Sequence, residues 1–131
     1  RPAEQVWKGR EAILMVDDEE AVLDISVKLL RTMGYTVFAA RSGREALGIY
    51  QTEKDRIALV ILDMIMPMMG GGDTYEKLKQ INPDVKVLLA SGYSIDGQAS
   101  QILTRGCNGF IQKPFKLGEL SKKIRTVLDD N

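Results

Sequence analysis

Five short apolar runs recur along the chain, and a stretch with helical periodicity follows each of them. In the clearest run, Ala58–Leu62, five apolar residues follow one another without a polar break and lead directly into Asp63. Short apolar runs bounded by turn residues are typical of strands that are buried on both faces, as in a parallel sheet. The other predicted strands are Ile13–Val16, Thr36–Ala40, Val85–Ala90 and Phe110–Gln112.

Apolar residues between these runs recur at steps of three and four, which predicts amphipathic helices. The apolar pattern that predicts the first helix is Val22, Ile25, Leu29, Leu30 and Met33, followed by a stop at Gly34. Two capping-box patterns, Ser42 with Glu45 and Asp73 with Glu76, predict the starts of the second and third helices. A weaker helix is expected over about 96–105, and a last one over about 117–128.

This alternation predicts a single domain of the α/β class. Crossovers of this length imply parallel strands with right-handed connections, and therefore a three-layer α/β/α sandwich around a five-stranded parallel sheet. Residues 1–11 are polar and lack a period, so we predict an N-terminal arm or linker before a domain at 12–131. Because the first residue is Arg rather than Met, we expect the chain to be a piece of a longer protein.

Composition excludes several classes of function. Lys plus Arg equals Asp plus Glu at 18 each, which argues against a dedicated nucleic-acid binder. No apolar run approaches the roughly 20 residues of a membrane helix, so we expect no membrane contact. The lack of histidine excludes histidine-based acid–base catalysis and histidine zinc sites. A single cysteine, Cys107, allows no internal disulfide and fits a cytoplasmic location.

Polar residues follow four of the predicted strands, where the strands end. They are Asp17 and Asp18 after the first, Asp63 after the third, Ser91 after the fourth and Lys113 after the fifth. The carboxyl ends of parallel strands form the edge of an open sheet where ligands bind. Three carboxylates brought together there repel one another, and a hard divalent cation such as Mg²⁺ neutralises them best. With a lysine and a hydroxyl beside it, Asp63 is placed to attack an incoming phosphoryl group.

Four motifs resemble those of response-regulator receiver domains, the CheY-like phosphoacceptor modules of two-component signalling. They are Val16-Asp17-Asp18-Glu19, Leu62-Asp63-Met64-Ile65-Met66-Pro67, Ala90-Ser91-Gly92 and Lys113-Pro114-Phe115, within a match over about residues 12–129. The resemblance implies a flavodoxin-like fold with strand order 2-1-3-4-5. The Ser91-Gly92-Tyr93-Ser94 run and the arm are most similar to C-terminal receivers of hybrid sensor histidine kinases, which implies a bacterial, cytoplasmic module.

The resemblance also implies a phosphoacceptor and a metal site. Asp63 would accept the phosphoryl group, and Asp18 and Asp63 would ligate Mg²⁺ directly. The backbone carbonyl of Ile65 would be a further ligand, while Asp17 would act largely through water.

A conformational switch is implied by the same resemblance. Ser91 would be the hydroxyl that moves toward the phosphoryl group, and Phe110 would rotate into the space it leaves. Lys113 would bind the acyl phosphate, held by a cis peptide bond to Pro114.

The implied donor is a phosphohistidine, either on a sensor histidine kinase or on the kinase core of the same parent chain. A histidine phosphotransfer protein is a further candidate partner. Whether the isolated domain is an enzyme stays open, since slow hydrolysis of its own aspartyl phosphate is the most that is expected. Ile65 and Tyr93 are expected to flank the path of the attacking water, and neither can orient it.

Other functions fit the sequence less well. A phosphatase of the haloacid-dehalogenase type needs a second acid two residues after the nucleophile, where this chain has Ile65. A flavin mononucleotide site needs a phosphate-binding loop after the first strand, where Asp17 and Asp18 would repel the phosphate group. An interaction scaffold that has lost phosphorylation remains an alternative. One departure from the family is the run 70–72, three glycines in place of Asp-Gly, which we expect to loosen the loop without touching a ligand.

Overall fold

The computed structural model describes residues 6–92 and 97–130, in which five strands alternate with five helices. The strands are β1 (Ala12–Val16), β2 (Thr36–Ala40), β3 (Ile57–Asp63), β4 (Val87–Ser91) and β5 (Gly109–Gln112). The helices are α1 (Glu20–Thr32), α2 (Gly43–Glu53), α3 (Gly71–Ile81), α4 (Gly97–Thr104) and α5 (Leu117–Leu128). Within these ranges, no helix is long and apolar enough to cross a membrane.

All strand pairs are parallel, and the sheet order is β2-β1-β3-β4-β5. This confirms the predicted α/β/α class and the strand order. In the observed register Val16 lies beside Leu62, and Asp63 lies beside Ala90. The first residues after β1 therefore lie next to the end of β3, at one edge of the sheet.

Two apolar layers cover the sheet. One packs α2, α3 and α4 against one face, and the other packs α1 and α5 against the opposite face. The strands that carry the acidic residues are buried throughout, since every residue of β1 is buried and β3 has only one partly exposed position. Buried strands thus carry the acidic residues to the edge of the sheet.

Helix α1 buries only part of its apolar pattern. Its buried residues are Leu23, Ser26 and Leu30, and Met33 just beyond the helix is buried as well. Ile25 is 60% exposed, although it belongs to the apolar pattern that predicts the helix. The helix carries two neighbouring apolar stripes, and spacing alone does not tell which of them faces the sheet.

The start of α3 was predicted wrongly. The helix begins at Gly71, with Gly70 as an N-cap that offers no side chain, and Asp73 lies in the first turn. An acid there favours the helix dipole without capping the helix. The prediction for α2 is confirmed, because the backbone N–H of Glu45 donates to Ser42 Oγ over 3.0 Å. Strand β4 begins two residues later than predicted.

Residues 6–11, which we call the arm, lie against α5 and the end of α1. The backbone N–H of Trp7 donates to Ser121 Oγ over 3.1 Å, and that of Gly9 donates to the carbonyl of Met33 over 3.1 Å. A Cβ atom on Gly9 would lie 2.4 Å from the ring of Tyr35. The backbone of the arm at Gly9 therefore packs directly against the ring of Tyr35, with no room for a side chain between them.

One guanidinium joins the arm to the last helix. Arg125 donates to Glu11 Oε1 over 2.8 Å and to the hydroxyl of Tyr35 over 3.3 Å, and it also forms an ion pair with Asp129. The hydrogen bond from Arg125 holds the pKa of Glu11 below its usual value. These contacts tie the arm, the segment after α1 and the end of α5 to a single side chain.

Candidate functional site

Three carboxylates meet where β1 and β3 end. One oxygen from each of Asp17, Asp18 and Asp63 lies within 4.8 Å of the other two, and we call this cluster the acid pocket. Asp17 is fully buried, Asp63 is 3% exposed and Asp18 is half-buried. The proximity follows from the sheet order, because β1 and β3 are neighbours and both run toward this edge.

Lys113 enters the acid pocket from the end of β5. Its Nζ lies 3.0 Å from Asp17 Oδ2 and 3.2 Å from Asp63 Oδ1, and its side chain is largely buried. The backbone N–H of Lys113 donates to the carbonyl of Ser91 over 2.7 Å, which joins the ends of β4 and β5. The peptide bond between Lys113 and Pro114 is cis.

Negative charge exceeds positive charge in the pocket. Burial, reinforced by the charge of Asp17, raises the pKa of Asp63 to about 7, although Lys113 opposes the shift. Burial by itself lowers the pKa of Lys113, but hydrogen bonds and charges from Asp17 and Asp63 outweigh it and raise that pKa above its usual value. One lysine therefore cannot neutralise the acids around it, and a further cation would relieve the imbalance.

The acid pocket opens into a cavity of about 550 Å³. Its lining includes Asp63, Ile65, Ser91 and Lys113. Ser91 is 6% exposed at the end of β4, and Ile65 is 58% exposed at the rim. Among the described residues, the clustered donors are carboxylate oxygens, which suit a hard cation rather than a soft one.

Phe110, the other residue expected to act in a switch, lies on the strand next to the one that carries Ser91. Phe110 is partly buried on β5, opposite Leu89 of β4, and packs against the apolar layer of α2, α3 and α4. It is two residues before the position that pairs with Ser91. Tyr93 lies outside the described residues.

The loop between β3 and α3 combines buried residues with exposed ones, and Met68 is fully exposed. Met64 and Met66 are buried, and Gly71 is buried at the start of α3. A Cβ atom on Gly71 would lie 2.9 Å from the carbonyl oxygen of Asp63. Gly71 thus lies against the backbone of Asp63, while the expectation that the three glycines loosen this loop without touching a ligand stays a prediction.

The sequence reasoning missed an apolar groove beside the acid pocket. It has a volume of about 350 Å³ and is lined by both α1 and the segment after β5, and we call it the α1 groove. Its apolar lining residues are Val22, Ile25, Leu29, Pro114 and Phe115. The sequence signal that could have revealed the groove is the number of apolar residues in α1. A helix on one side of a sheet buries only one apolar stripe, so a second stripe stays at the surface.

Comparison with known proteins gives consistent matches. The family model described as "Response regulator receiver domain" matches residues 13–125. The sensor kinase CckA of Brucella abortus (strain 2308) is 36% identical over 121 residues, which are 92% of this chain and 13% of the kinase. The chain spans about half the length of other curated relatives, 48% and 49% for two of them.

Solved structures of similar fold also match. A response regulator receiver domain protein from Clostridium thermocellum is 30% identical, with a TM-score of 0.86 and coverage of 91% of this chain and 94% of that one. The response regulator TrrA from Thermotoga maritima, in complex with Mg²⁺ and BeF, is 29% identical. Its TM-score is 0.80, and the match covers 90% of this chain and 99% of TrrA.

Proposed function

This chain belongs to the response regulator receiver domain family of two-component systems, and from that premise we propose that it accepts a phosphoryl group on Asp63. The observation that carries the proposal is the contact of a buried lysine with two of three clustered carboxylates. Lys113 Nζ lies 3.2 Å from Asp63 Oδ1, at the opening of a cavity. A buried acid beside a cationic donor is arranged for attack on phosphorus.

The proposed donor is a phosphohistidine on a sensor histidine kinase. An oxygen of Asp63 forms a bond to phosphorus as the bond between phosphorus and the imidazole nitrogen breaks. That nitrogen keeps the electron pair and then takes up a proton. Lys113 pairs with the negative oxygens of the transferred group, so its charge is used both before and after transfer.

A divalent cation completes this proposal. Asp18, Asp63 and the backbone carbonyl of Ile65 would hold Mg²⁺, with Asp17 acting through water. The oxygen-only cluster and its excess of negative charge support this assignment. When bound, the ion supplies the positive charge that offsets the acids and the phosphoryl oxygens.

We also propose that phosphorylation switches the conformation through Ser91 and Phe110. Ser91 would donate its hydroxyl hydrogen to a phosphoryl oxygen, and Phe110 would follow into the space that Ser91 leaves. Both residues lie on the neighbouring strands β4 and β5, which supports a coupled movement. A local charge would in this way shift the population between two states.

The α1 groove supports a protein as donor. It is apolar, adjoins the acid pocket at Lys113, and exposes Ile25 to solvent. A kinase domain that packs an apolar helix there would bring a phosphohistidine within reach of Asp63. A histidine phosphotransfer protein could use the same approach to take the group onward.

The parent protein and its location are part of the proposal. Similarity to a sensor kinase, and to the receiver domain of the hybrid histidine kinase CckA at 32% identity, supports a receiver carried by a bacterial hybrid kinase. We propose that the receiver domain comprises residues 12–131, that residues 1–11 form an N-terminal arm or linker before it, and that the domain lies on the cytoplasmic side. The partners remain kinase and phosphotransfer proteins, without nucleic acid or membrane contact by this domain.

The test is the intact mass of the protein after incubation with Mg²⁺ and acetyl phosphate, beside an Asp63→Asn control. We expect one added phosphoryl group on the wild type and none on the control. Addition to both proteins would move the acceptor away from Asp63. If neither protein gains mass while Mg²⁺ binding is shown by calorimetry, the domain is a scaffold that binds metal without accepting phosphate from this donor.

A further inference from the structure

The first turn of α3 contacts the backbone of Asp63 and Met64 directly. The N–H of Gly71 donates to the carbonyl of Met64 over 2.9 Å. A Cβ atom on Gly71 would lie 2.8 Å from Met64 Cα and 2.9 Å from the carbonyl oxygen of Asp63. Both neighbours are backbone atoms, so no side-chain rotation can make room for a methyl group.

Helix α3 has little freedom to move away from this contact. On its far side Thr74 is fully buried, and a Cβ atom on Gly43 of α2 would lie 2.3 Å from Thr74 Oγ1. Tyr75 and Leu78 are buried below it. Helix α3 therefore packs against α2 on one side and against the end of β3 on the other.

The end of β3 is held from its other side as well. The N–H of Met64 donates to the carbonyl of Ala90 on β4 over 2.9 Å. Met64 is thus fixed between β4 and α3, one residue after Asp63 and one before Ile65. The position of this peptide determines where both of those residues meet the cavity.

We propose that Gly71 is a positioning residue for the acid pocket: its bare Cα lets α3 fix the backbone on either side of Met64, and this sets the position of the Asp63 carboxylate and the Ile65 carbonyl. The inference rests on the proposed function and extends it to a residue outside the reacting groups. Any side chain at position 71 must push the first turn of α3 and the end of β3 apart, and α2 blocks α3 on one side. Ligands displaced by a fraction of an ångström bind a cation more weakly.

The neighbouring glycines provide matched controls. A Cβ atom on Gly72 would meet only Ile102 Cδ1 at 3.5 Å, and one on Gly70 would meet the carbonyl oxygen of Met64 at 3.6 Å. Both are ordinary van der Waals distances. Gly72→Ala therefore makes the same change in helix propensity as Gly71→Ala, without the close contact.

The experiment compares wild type, Gly71→Ala and Gly72→Ala in the full chain. Calorimetry gives the Mg²⁺ dissociation constant of each protein, and thermal unfolding without Mg²⁺ gives its stability. We expect Gly72→Ala to bind Mg²⁺ as the wild type does, with an unchanged or higher melting temperature. Gly71→Ala should unfold cooperatively above the titration temperature, yet show a dissociation constant higher by about tenfold or more.

Two results would overturn the inference. One is an equal Mg²⁺ affinity of the two alanine variants. The other is a Gly71→Ala chain that fails to fold, which would make the residue structural only. Failure of the proposed function looks different, because the wild type itself would then gain no phosphoryl group, whether or not it binds Mg²⁺.

Discussion

At the scale of single residues, the charge balance of the acid pocket predicts a stability that depends on pH. The pKa of Asp63 is about 7, against an ordinary value of 3.8. Between these values the folded protein holds a proton that the unfolded chain has released, so the metal-free protein should lose stability as pH rises through about 7. Melting temperatures in a chelating buffer at about pH 5.5 and about pH 8 test this prediction.

The control for this prediction is Asp63→Asn, which cannot titrate and should lack this component of the pH dependence. Addition of Mg²⁺ should stabilise the wild type most at the higher pH, where the carboxylate is charged. Equal pH dependence of the wild type and the asparagine variant would contradict the raised pKa.

A second residue-scale prediction concerns Tyr75, which is 1% exposed. Its hydroxyl has no hydrogen-bond partner among the described residues. A buried hydroxyl without a partner costs free energy, so Tyr75→Phe should raise the free energy of unfolding by about 1 kcal/mol. Urea unfolding monitored by circular dichroism measures the change.

Tyr50 provides the matched comparison, because it is equally buried but accepts a hydrogen bond from Asn82 Nδ2 over 3.0 Å. Tyr50→Phe removes that acceptor and should lower the free energy of unfolding by about 1 kcal/mol. If both variants shift in the same direction, the hydroxyl of Tyr75 is not the unsatisfied group that we describe.

At the scale of elements, α1 separates a stripe that stabilises the fold from one that faces solvent. Leu23 is 5% exposed, and Leu23→Ala should cost about 2 to 4 kcal/mol through the cavity it leaves. Ile25 is 60% exposed, and Ile25→Ala should change stability by no more than about 0.5 kcal/mol. Denaturant midpoints of the two variants test the assignment of the buried face.

The phosphorylation assay adds a functional control for α1. Ile25→Ala should accept phosphate from acetyl phosphate as the wild type does, since that small donor has no need of the α1 groove. A large loss of stability in Ile25→Ala would contradict the observed orientation of the helix.

The elements show what local patterns determine and what they leave open. The type and order of strands and helices followed from apolar periodicity, and the capping box at Ser42 placed the start of α2. The buried face of α1 did not follow, because two apolar stripes compete and the sheet decides between them. The start of α3 was missed because its N-cap, Gly70, has no side chain to recognise.

Some features of the candidate site could be predicted from the sequence, and others could not. Residues at strand ends could be gathered on one edge by topology alone, and the structure places Asp17, Asp63 and Lys113 in contact. The close approach of Gly71 could not be predicted, because it depends on how α3 packs against β3 and α2. A glycine run in sequence gives no sign of whether its Cα atoms are free or pressed against another backbone.

At the scale of the whole molecule, the contacts of the arm predict that it contributes to stability. Shortening the chain to begin at Ala12 removes the hydrogen bond from Gly9 to Met33 and the ion pair of Glu11 with Arg125. We expect a loss of about 2 kcal/mol, because the largely buried Arg125 also loses one of its two carboxylate partners. Chemical unfolding of the shortened and full chains provides the measurement.

A chain that begins at Val6 is the control, since it retains every arm contact described above. It should unfold at the same denaturant concentration as the full chain. If the chain that begins at Ala12 also does so, the arm is a loosely held linker, as the sequence alone suggested.

The contacts of the Arg125 guanidinium bring the first and last segments of the domain together, which affects how such a domain can be joined to other proteins. Because it contacts both Glu11 and Asp129, the polypeptide enters and leaves the domain side by side. A short linker could close this gap in a circular permutant, with new termini opened in an exposed turn such as the one at Lys54 and Asp55. The same geometry would allow the domain to be inserted into a loop of a host protein, because the two ends of the interrupted loop would stay close together.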